Sequence, residues 1–296
     1  MRYLFLIVII SILYSNTLAQ KFYAYPIISL SLQANKLDYN THSDNSILYQ
    51  DSTTTNYVNT NNSISFGDGK MFGIGFGYEF ANNIAFDLAV SYFKGNEHDW
   101  EVSSYYEVYP ESVYNATFKD RHVYSYKGLN FSPSLIFSTD KSKKINAYIK
   151  AGINISKGLM TKKFYQSIFN NFPDYIPVEK YEYTYEYTPK VILGGFGTFD
   201  IEFSRNRILN FFAEARFLFQ NFKPKTGKCV KYTYQGEDKL NELPLRYKEF
   251  DFVDSFDTAD NEDNKRGKFT NETHSLSSYS ISIGFRYYFK HEIKIN

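Results

Sequence analysis

Strict alternation of apolar residues with polar or small ones is the feature that most constrains this chain. In residues 70–80, aromatic and aliphatic side chains fall on one face, while three glycines and Glu79 fall on the other. A period of two residues is that of a β-strand. Residues 84–92 alternate in the same way after the short turn 81–83, so the two segments are predicted to form a hairpin.

Eight such segments follow one another with very short connections on one side and long polar stretches on the other. The predicted strands are 22–37, 70–80, 84–92, 123–138, 145–156, 185–203, 208–222 and 274–289. The long stretches are 38–69, 94–122, 157–180 and 223–273, and their Asn, Asp, Ser and Thr content indicates solvated loops. Pro133 cannot donate a hydrogen bond within a sheet, but the alternation around it still favours a strand.

The minor face of these strands carries charge. Its charged residues are Glu79, Asp87, Lys150, Asp200, Glu202, Glu214, Arg216 and Arg286. A soluble barrel places its apolar residues inside and its polar residues outside. Charged residues buried in such an apolar interior would be costly unless they were paired. In a narrow eight-stranded lumen the charges can pair with one another while the rings face lipid.

The pattern therefore predicts an all-β fold: an eight-stranded antiparallel up-and-down transmembrane β-barrel with short periplasmic turns and four long extracellular loops. Aromatic residues make up 19% of the chain although its mean hydropathy is −0.42. Both values suit a barrel in which only alternate residues face lipid and aromatic belts mark the interfaces. We expect residues 20–296 to form one domain.

The first nineteen residues resemble a cleaved signal peptide. Arg2 precedes an apolar run over residues 4–13, and Leu18 and Ala19 complete a small-residue cleavage site. A helical anchor would need about 20 apolar residues, and this run is shorter.

The sole cysteine, Cys229, excludes an intrachain disulfide and a lipid anchor just after the cleavage site; we expect it to be exposed or paired with another chain. Balanced charge, 33 basic against 32 acidic residues, offers no field for nucleic acid.

The last predicted strand resembles the aromatic-ended terminal β-signal of outer-membrane proteins. Its residues are Ile281, Ile283, Phe285, Tyr287 and Phe289. With the topology, this makes residues 20–289 similar to the small outer-membrane barrels, the transmembrane domain of outer membrane protein A and the OmpX-like barrels. The resemblance implies a bacterial outer-membrane location, recognition by the outer-membrane assembly machinery, contact with outer-membrane lipid and lipopolysaccharide, and a monomer. Residues 290–296 follow the signal, and no periplasmic domain or peptidoglycan tether is expected.

Candidates for chemistry are few. His122 with Ser125 and His274 with Ser275 could serve an acyl-chain enzyme, but ordinary polar residues at a strand rim explain them. Oxygen ligands for Ca²⁺ could come from Asp251, Asp254, Asp257, Asp260, Glu262 and Asp263. That run lacks the spacing of a calcium loop. We therefore predict no enzyme activity, no cofactor and no catalytic, cofactor-binding or metal-ligating residue.

Three functions remain open. The leading hypothesis is a structural or surface-interaction barrel whose loops contact a protein partner, because Tyr181, Tyr183, Tyr185 and Tyr187 alternate as in strands that protrude beyond the membrane. A narrow channel or uptake route for small or apolar solutes is the alternative, since the glycine-rich inner faces leave space. An envelope lipid acyl-chain enzyme or a secretion-accessory barrel is the third.

Overall fold

The computed structural model describes residues 21–34, 55–59, 66–81, 83–107, 115–139, 144–170, 176–204, 208–255 and 263–289. The predicted signal peptide and residues 290–296 lie outside these ranges. The strands are β1 (Lys21–Gln33), β2 (Thr55–Asn59), β3 (Gly69–Ala81), β4 (Ile84–Gly95), β5 (His98–Glu107), β6 (Asn115–Ser138), β7 (Ile145–Asn170), β8 (Ile176–Pro189), β9 (Ile192–Ser204), β10 (Leu209–Phe222), β11 (Pro224–Tyr234), β12 (Glu237–Asp238), β13 (Glu249–Val253), β14 (Gly267–Thr270), β15 (His274–Ser275) and β16 (Ser278–Tyr288). A 3₁₀ turn (Leu240–Glu242) and a short α-helix (Leu245–Lys248) separate β12 from β13.

Eight of these strands close into a ring. The order is β1-β3-β4-β6-β7-β9-β10-β16, and β16 pairs with β1 again, all antiparallel. Each ring strand corresponds to one of the eight predicted segments. The connections after β3, β6 and β9 are short, and the pairings Ala81↔Ile84, Ile84↔Phe137 and Ile145↔Phe203 put them at one end of the ring. We call this the short-turn end.

The outer face of the ring is apolar on every strand. Its side chains, each between 40% and 66% exposed, include Ile28, Leu30, Phe72, Ile74, Phe76, Phe86, Val90, Leu129, Phe131, Leu135, Phe137, Ile149, Ile153, Leu193, Phe199, Phe203, Phe211, Phe219, Ile281 and Ile283. Soluble monomers rarely expose apolar patches of more than a few hundred Å². No helix within the described ranges is long and apolar enough to cross a membrane.

At the other end, β6 and β7 continue far beyond the ring. β7 has 26 residues, which extends to about 85 Å at ~3.3 Å per residue, whereas a tilted membrane strand needs only about 9 to 11 residues. The residues 115–126 of β6 and 160–170 of β7 form the centre of a second sheet, in the order β14-β13-β11-β8-β7-β6-β5-β2. We call it the head sheet.

The head sheet corrects the expectation that the long stretches are plain loops. The stretch 223–273 contains β11, β12, β13, β14 and the two short helical turns, and the stretch 157–180 belongs largely to β7 and β8. The alternating tyrosines 181–187 did indicate β8, but no pattern was used to predict β11 to β14. Polar composition alone did not, because a sheet that is solvated on one face needs polar residues as well.

The predicted continuous strand 185–203 is wrong. It is divided between β8 and β9, with a break after Pro189, which lacks an N–H group. On the head-sheet side of the break, Met160 of β7 opposes Tyr187 of β8; on the ring side, Ser156 of β7 opposes Ile192 of β9. Residues 188–191 therefore lie opposite residues 157–159, which is one residue more than β7 contributes. Such a bulge reverses the faces: Tyr187 is buried and Val191 is exposed, although both are odd-numbered.

Pro133 lies within a ring strand, as the alternation predicted. It opposes Leu88 of β4, and the β6–β7 register is the same on both sides of it, from Phe131↔Ile155 to Ser134↔Gly152. The ladder toward β7 lacks only the pairs at Ser132 and Pro133. The missing N–H group of Pro133 therefore interrupts the hydrogen bonding to β7 without changing the register of the two strands.

Glycines of β3 provide space for tyrosines of β1 inside the ring. A Cβ atom on Gly75 would lie 2.1 Å from Cζ of Tyr25, and one on Gly77 would lie 1.9 Å from Cζ of Tyr23. Both tyrosines are buried. The space beside Gly75 and Gly77 is therefore filled by tyrosine rings.

We expect Gly75→Ala to destabilise the ring by about 1 to 3 kcal/mol, because the added methyl group overpacks a filled interior. The matched control is Gly195→Ala on β9, since nothing lies within 4 Å of a Cβ atom there. The urea midpoint of the detergent-folded protein measures both. Equal midpoints for the two variants would contradict the packing of Tyr25 against Gly75.

Candidate functional site

All eight predicted inner-face charges lie inside the ring. The exposed fractions of Glu79, Asp87, Lys150, Asp200, Glu202, Glu214, Arg216 and Arg286 range from 0% to 7%. They come from strands β3, β4, β7, β9, β10 and β16, so the chain brings them together only when the ring closes. Five acids face three bases, a net charge of −2.

Arg286 of β16 is the largest of the fully buried side chains. Its Nη1 donates to Oε2 of Glu202 at 2.7 Å and its Nη2 donates to Oδ2 of Asp200 at 2.7 Å. The guanidinium also lies 4.6 Å from the ring centroid of Tyr148. Two carboxylates and an aromatic face therefore compensate one buried cation, which is the condition under which a buried charge is tolerated.

Lys150 of β7 connects the ion pairs of Arg286 to Glu214 of β10. Its Nζ lies 2.7 Å from Oε2 of Glu214 and 3.1 Å from Oδ2 of Asp200. Asp200 therefore contacts both Lys150 and Arg286. The four strands β7, β9, β10 and β16 are joined across the interior by these contacts.

Asp87 of β4 is held by hydroxyl groups. Tyr25 donates to its Oδ1 at 2.5 Å and Tyr23 donates to its Oδ2 at 3.0 Å. These two tyrosines were not predicted as site residues. Their alternation along β1 with outward Phe22 and Ala24 was the available signal, but a search for charged residues did not use it.

Arg216 lies in a polar layer closer to the head sheet. Its Nη2 donates to Asn154 Oδ1 at 3.2 Å and to Ser132 Oγ at 3.3 Å, and its guanidinium lies 4.0 Å from the ring centroid of Phe196. Within the described part of the chain, no carboxylate comes within salt-bridge distance of it. Gln220 and Asn154 extend the same hydrogen-bond network, joined at 3.0 Å.

The interior holds little free volume. A cavity between Arg216, Met71 and Tyr126 measures about 30 Å³, which is room for roughly one or two water molecules, since about 10 to 15 Å³ of such volume holds one. On the head-sheet side of this cavity lies an aromatic cluster that includes Phe93, Tyr126 and Phe222. Side chains therefore fill much of the described interior.

The five residues of the predicted terminal β-signal all lie on the outer face of β16 and just after it. Ile281, Ile283, Phe285, Tyr287 and Phe289 are between 42% and 65% exposed. The same strand pairs with β1 and β10 through its backbone, so it completes the ring. Recognition by the assembly machinery stays a prediction.

The two histidine–serine pairs do not form catalytic dyads. His122 and Ser125 are three positions apart on β6, and His274 and Ser275 are adjacent on β15, so the partners within each pair point to opposite faces. Burial and the nearby charge of Lys162 lower the pKa of His122 to about 4. His274 packs against the rings of Phe66 and Phe222.

The acidic run does not gather into a metal site within the described residues. Asp251 pairs with Arg266 at 3.2 Å, Asp254 with Lys223 at 3.2 Å, and Asp263 with Arg246 at 2.9 Å. Asp257, Asp260 and Glu262 lie outside the described ranges. The acids that are described serve as ion-pair partners within the head.

Cys229 is buried, which corrects the expectation of an exposed thiol. It is 2% exposed, lies opposite Tyr185 on the head sheet and donates from Sγ to the carbonyl of Lys231 at 3.2 Å. Burial raises its pKa to about 11. The thiol is therefore protonated at neutral pH and packed within the sheet.

Comparison with known protein families finds no match, and no curated protein matches the chain. Among solved structures, the outer membrane protein OprG of Pseudomonas aeruginosa is 10% identical, with 92% of this chain and 97% of that chain covered and a TM-score of 0.42. Neisserial surface protein A is 10% identical, with 92% and 100% covered and a TM-score of 0.36. The outer membrane protease OmpT of Escherichia coli is 8% identical, with 93% and 99% covered and a TM-score of 0.23.

OprG and OmpT are outer membrane proteins by name, and the third is a surface protein by name. At such identities and TM-scores, only the strand pairing and burial of this chain itself bear on its function. The finer resemblance to the barrel of outer membrane protein A and to OmpX stays a prediction.

We expect Arg286→Met to cost about 3 to 5 kcal/mol, because it removes from Glu202 and Asp200 a buried cation that both carboxylates contact. Arg216→Met should cost less, since Arg216 contacts neutral groups and an aromatic ring. Urea midpoints of the two detergent-folded variants, measured against the wild type, provide the comparison. A larger loss for Arg216→Met would show that the ion pairs of Arg286 are not the main charge compensation.

Proposed function

We propose that this chain is an integral protein of the bacterial outer membrane, with the ring as a transmembrane β-barrel and the head sheet outside the cell as the part that contacts a partner. The observation that carries the proposal is the closed ring with an apolar outer face on all eight strands. In lipid, backbone groups must be paired and the outer surface must be apolar. Both conditions hold together here.

The filled interior supports a structural or surface-interaction role over a channel. The charges of Arg286 and Lys150 are compensated at 2.7 to 3.1 Å, and the free volume near Arg216 is about 30 Å³. Eight strands leave an interior that side chains can fill. Among the glycines that motivated the channel hypothesis, Gly75 and Gly77 leave space that Tyr25 and Tyr23 fill.

The head sheet offers edges to a partner. Within the described residues, β2 pairs only with β5, and β14 pairs only with β13. Exposed edges present backbone donors and acceptors to which another chain can add a strand. We therefore favour a protein partner that binds in extended conformation.

A row of lysines lies where the apolar face of the ring ends toward the head. Lys70 of β3 opposes Lys94 of β4, and Lys94 opposes Lys127 of β6; all three are exposed. The next outward row is Phe72, Tyr92 and Leu129. Like charges directly opposite each other on neighbouring strands are destabilising, so anionic headgroups at this level would stabilise the row. Phosphates of the outer-leaflet glycolipid have the required charge and depth.

The mature chain, refolded into detergent, should migrate differently on a semi-native gel with and without boiling, show β-rich circular dichroism and give no discrete current in planar bilayers. The closed ring and filled interior are the physical reasons. A chain that stays soluble in plain buffer without a gel shift would overturn the membrane assignment. Steady single-channel currents would overturn the closed interior alone.

The triple substitution K70Q/K94Q/K127Q should lower stability in bilayers that contain lipid A but not in bilayers with dephosphorylated lipid A. About 1 kcal/mol per lysine is the scale for a basic residue at an anionic surface. Urea midpoints in the two bilayers measure the difference, and inorganic phosphate added to the second bilayer tests for free anion.

The matched control is K119Q/K180Q/K228Q, which removes three exposed lysines of the head sheet. Equal losses for both triple variants would contradict a specific lysine row. If inorganic phosphate alone restores the stability that is lost without lipid A phosphates, the lysine row binds free anions instead of lipid.

A further inference from the structure

A second cavity lies outside the ring, on one face of the head sheet. It measures about 240 Å³; the central strands β7 and β8 contribute Phe164, Tyr185 and Tyr187 to its lining, and the edge strands β13 and β14 contribute Phe250, Phe252 and Phe269. Phe269 is 38% exposed, so the cavity reaches the surface. A cavity of about 150 Å³ lined by apolar side chains is enough for benzene.

The aromatic wall is built by a specific packing arrangement. A Cβ atom on Gly227 of β11 would lie 2.1 Å from Cε2 of Phe250, so the absence of a side chain there lets the Phe250 ring lie on the sheet. Phe250 then contacts Phe269 with ring centroids 4.5 Å apart and Tyr187 at 6.1 Å. β13 pairs with β11 and, in parallel, with β14, so the strand pairing of the head sheet brings these edge strands to the cavity.

A largely buried cation lines the same cavity. Nζ of Lys162 lies 5.3 Å from the ring centroid of Tyr124, and no carboxylate of the described residues lies within salt-bridge distance of it. Glu272 also lines the cavity and its charge acts on Lys162; its Oε2 lies 3.3 Å from Nε2 of His274. Burial lowers the pKa of Lys162, and His122 beside it is neutral at pH 7.

We propose that this cavity binds a small single-ring molecule that carries a carboxylate. The aromatic walls provide stacking and edge contacts for a flat ring, and the ammonium of Lys162 provides one charge-assisted hydrogen bond to an anion. An aromatic enclosure alone would also suit a cation, but Lys162 opposes a second positive charge. Glu272 lines the cavity as well, but it lies beyond salt-bridge distance of Lys162, so the ammonium can pair with the ligand.

The test is ¹⁹F NMR titration of the full chain in detergent micelles with 4-fluorobenzoate, 4-fluorobenzyl alcohol and 4-fluorobenzylamine, with empty micelles as the blank. We expect 4-fluorobenzoate to bind with the highest affinity. Lys162→Met should weaken it about tenfold or more, the scale of a hydrogen bond to a charged group, and should leave the alcohol nearly unchanged. Lys162→Arg should retain binding.

The matched control is Lys163→Met. Lys163 is the next residue of β7, points to the opposite face and pairs with Glu97 at 3.1 Å, so its loss should leave binding unchanged. Equal weakening by Lys162→Met and Lys163→Met would overturn the proposal, as would tighter binding of the amine. No binding above the micelle blank would overturn it too. If Lys162→Met fails to fold by the gel-shift criterion, the ranking of the three probes on the wild type and on Lys162→Arg decides.

Discussion

Closure of the ring by β1 and β16 is the interaction on which the rest of the structure depends. Without it, two strands would present unpaired N–H and C=O groups, each of which costs several kcal/mol in a hydrocarbon environment. Closure also tolerates two prolines. Pro26 opposes Ile74 and Pro133 opposes Leu88, and each interrupts the ladder on only one side. The register on the interrupted side continues unchanged, so neither proline opens the ring.

The charges inside the ring act on register more than on net stability. A buried ion pair often contributes no more than apolar residues of the same volume would. A slip of one residue, however, would turn every inward side chain outward, and Arg286, Asp200 and Glu202 would then face lipid. Gly75 and Tyr25 add a steric condition to the same choice, since a residue with a Cβ atom opposite Tyr25 has no room. Electrostatics and packing therefore select the same register.

The ring was predictable from the sequence because each of its strands has one apolar face and one polar or small-residue face. Residue types therefore alternate with a period of two along the whole strand. Asp87 and Glu214 could be assigned to the interior from alternation alone. Tyr23 and Tyr25 could not be distinguished from lipid-facing rings by residue type, because an aromatic belt and an aromatic interior use the same residues. The break at Pro189 was missed for a related reason: a one-residue bulge preserves composition and reverses faces. Cys229 was misplaced because a polar stretch was taken to be a loop.

The head sheet inherits its geometry from the ring. β6 and β7 keep one register from Ser138↔Tyr148 near the short turns to Ala116↔Asn170 at the far end. Lys162 and Phe164 on β7 are thus in the same ladder as Lys150, which is fixed by Glu214 and Asp200 inside the ring. A head built on a hinge could move relative to the membrane surface, whereas a continuous two-strand ladder resists such motion. The position of the aromatic cavity relative to the ring is therefore set by the same strand pairing that closes the interior.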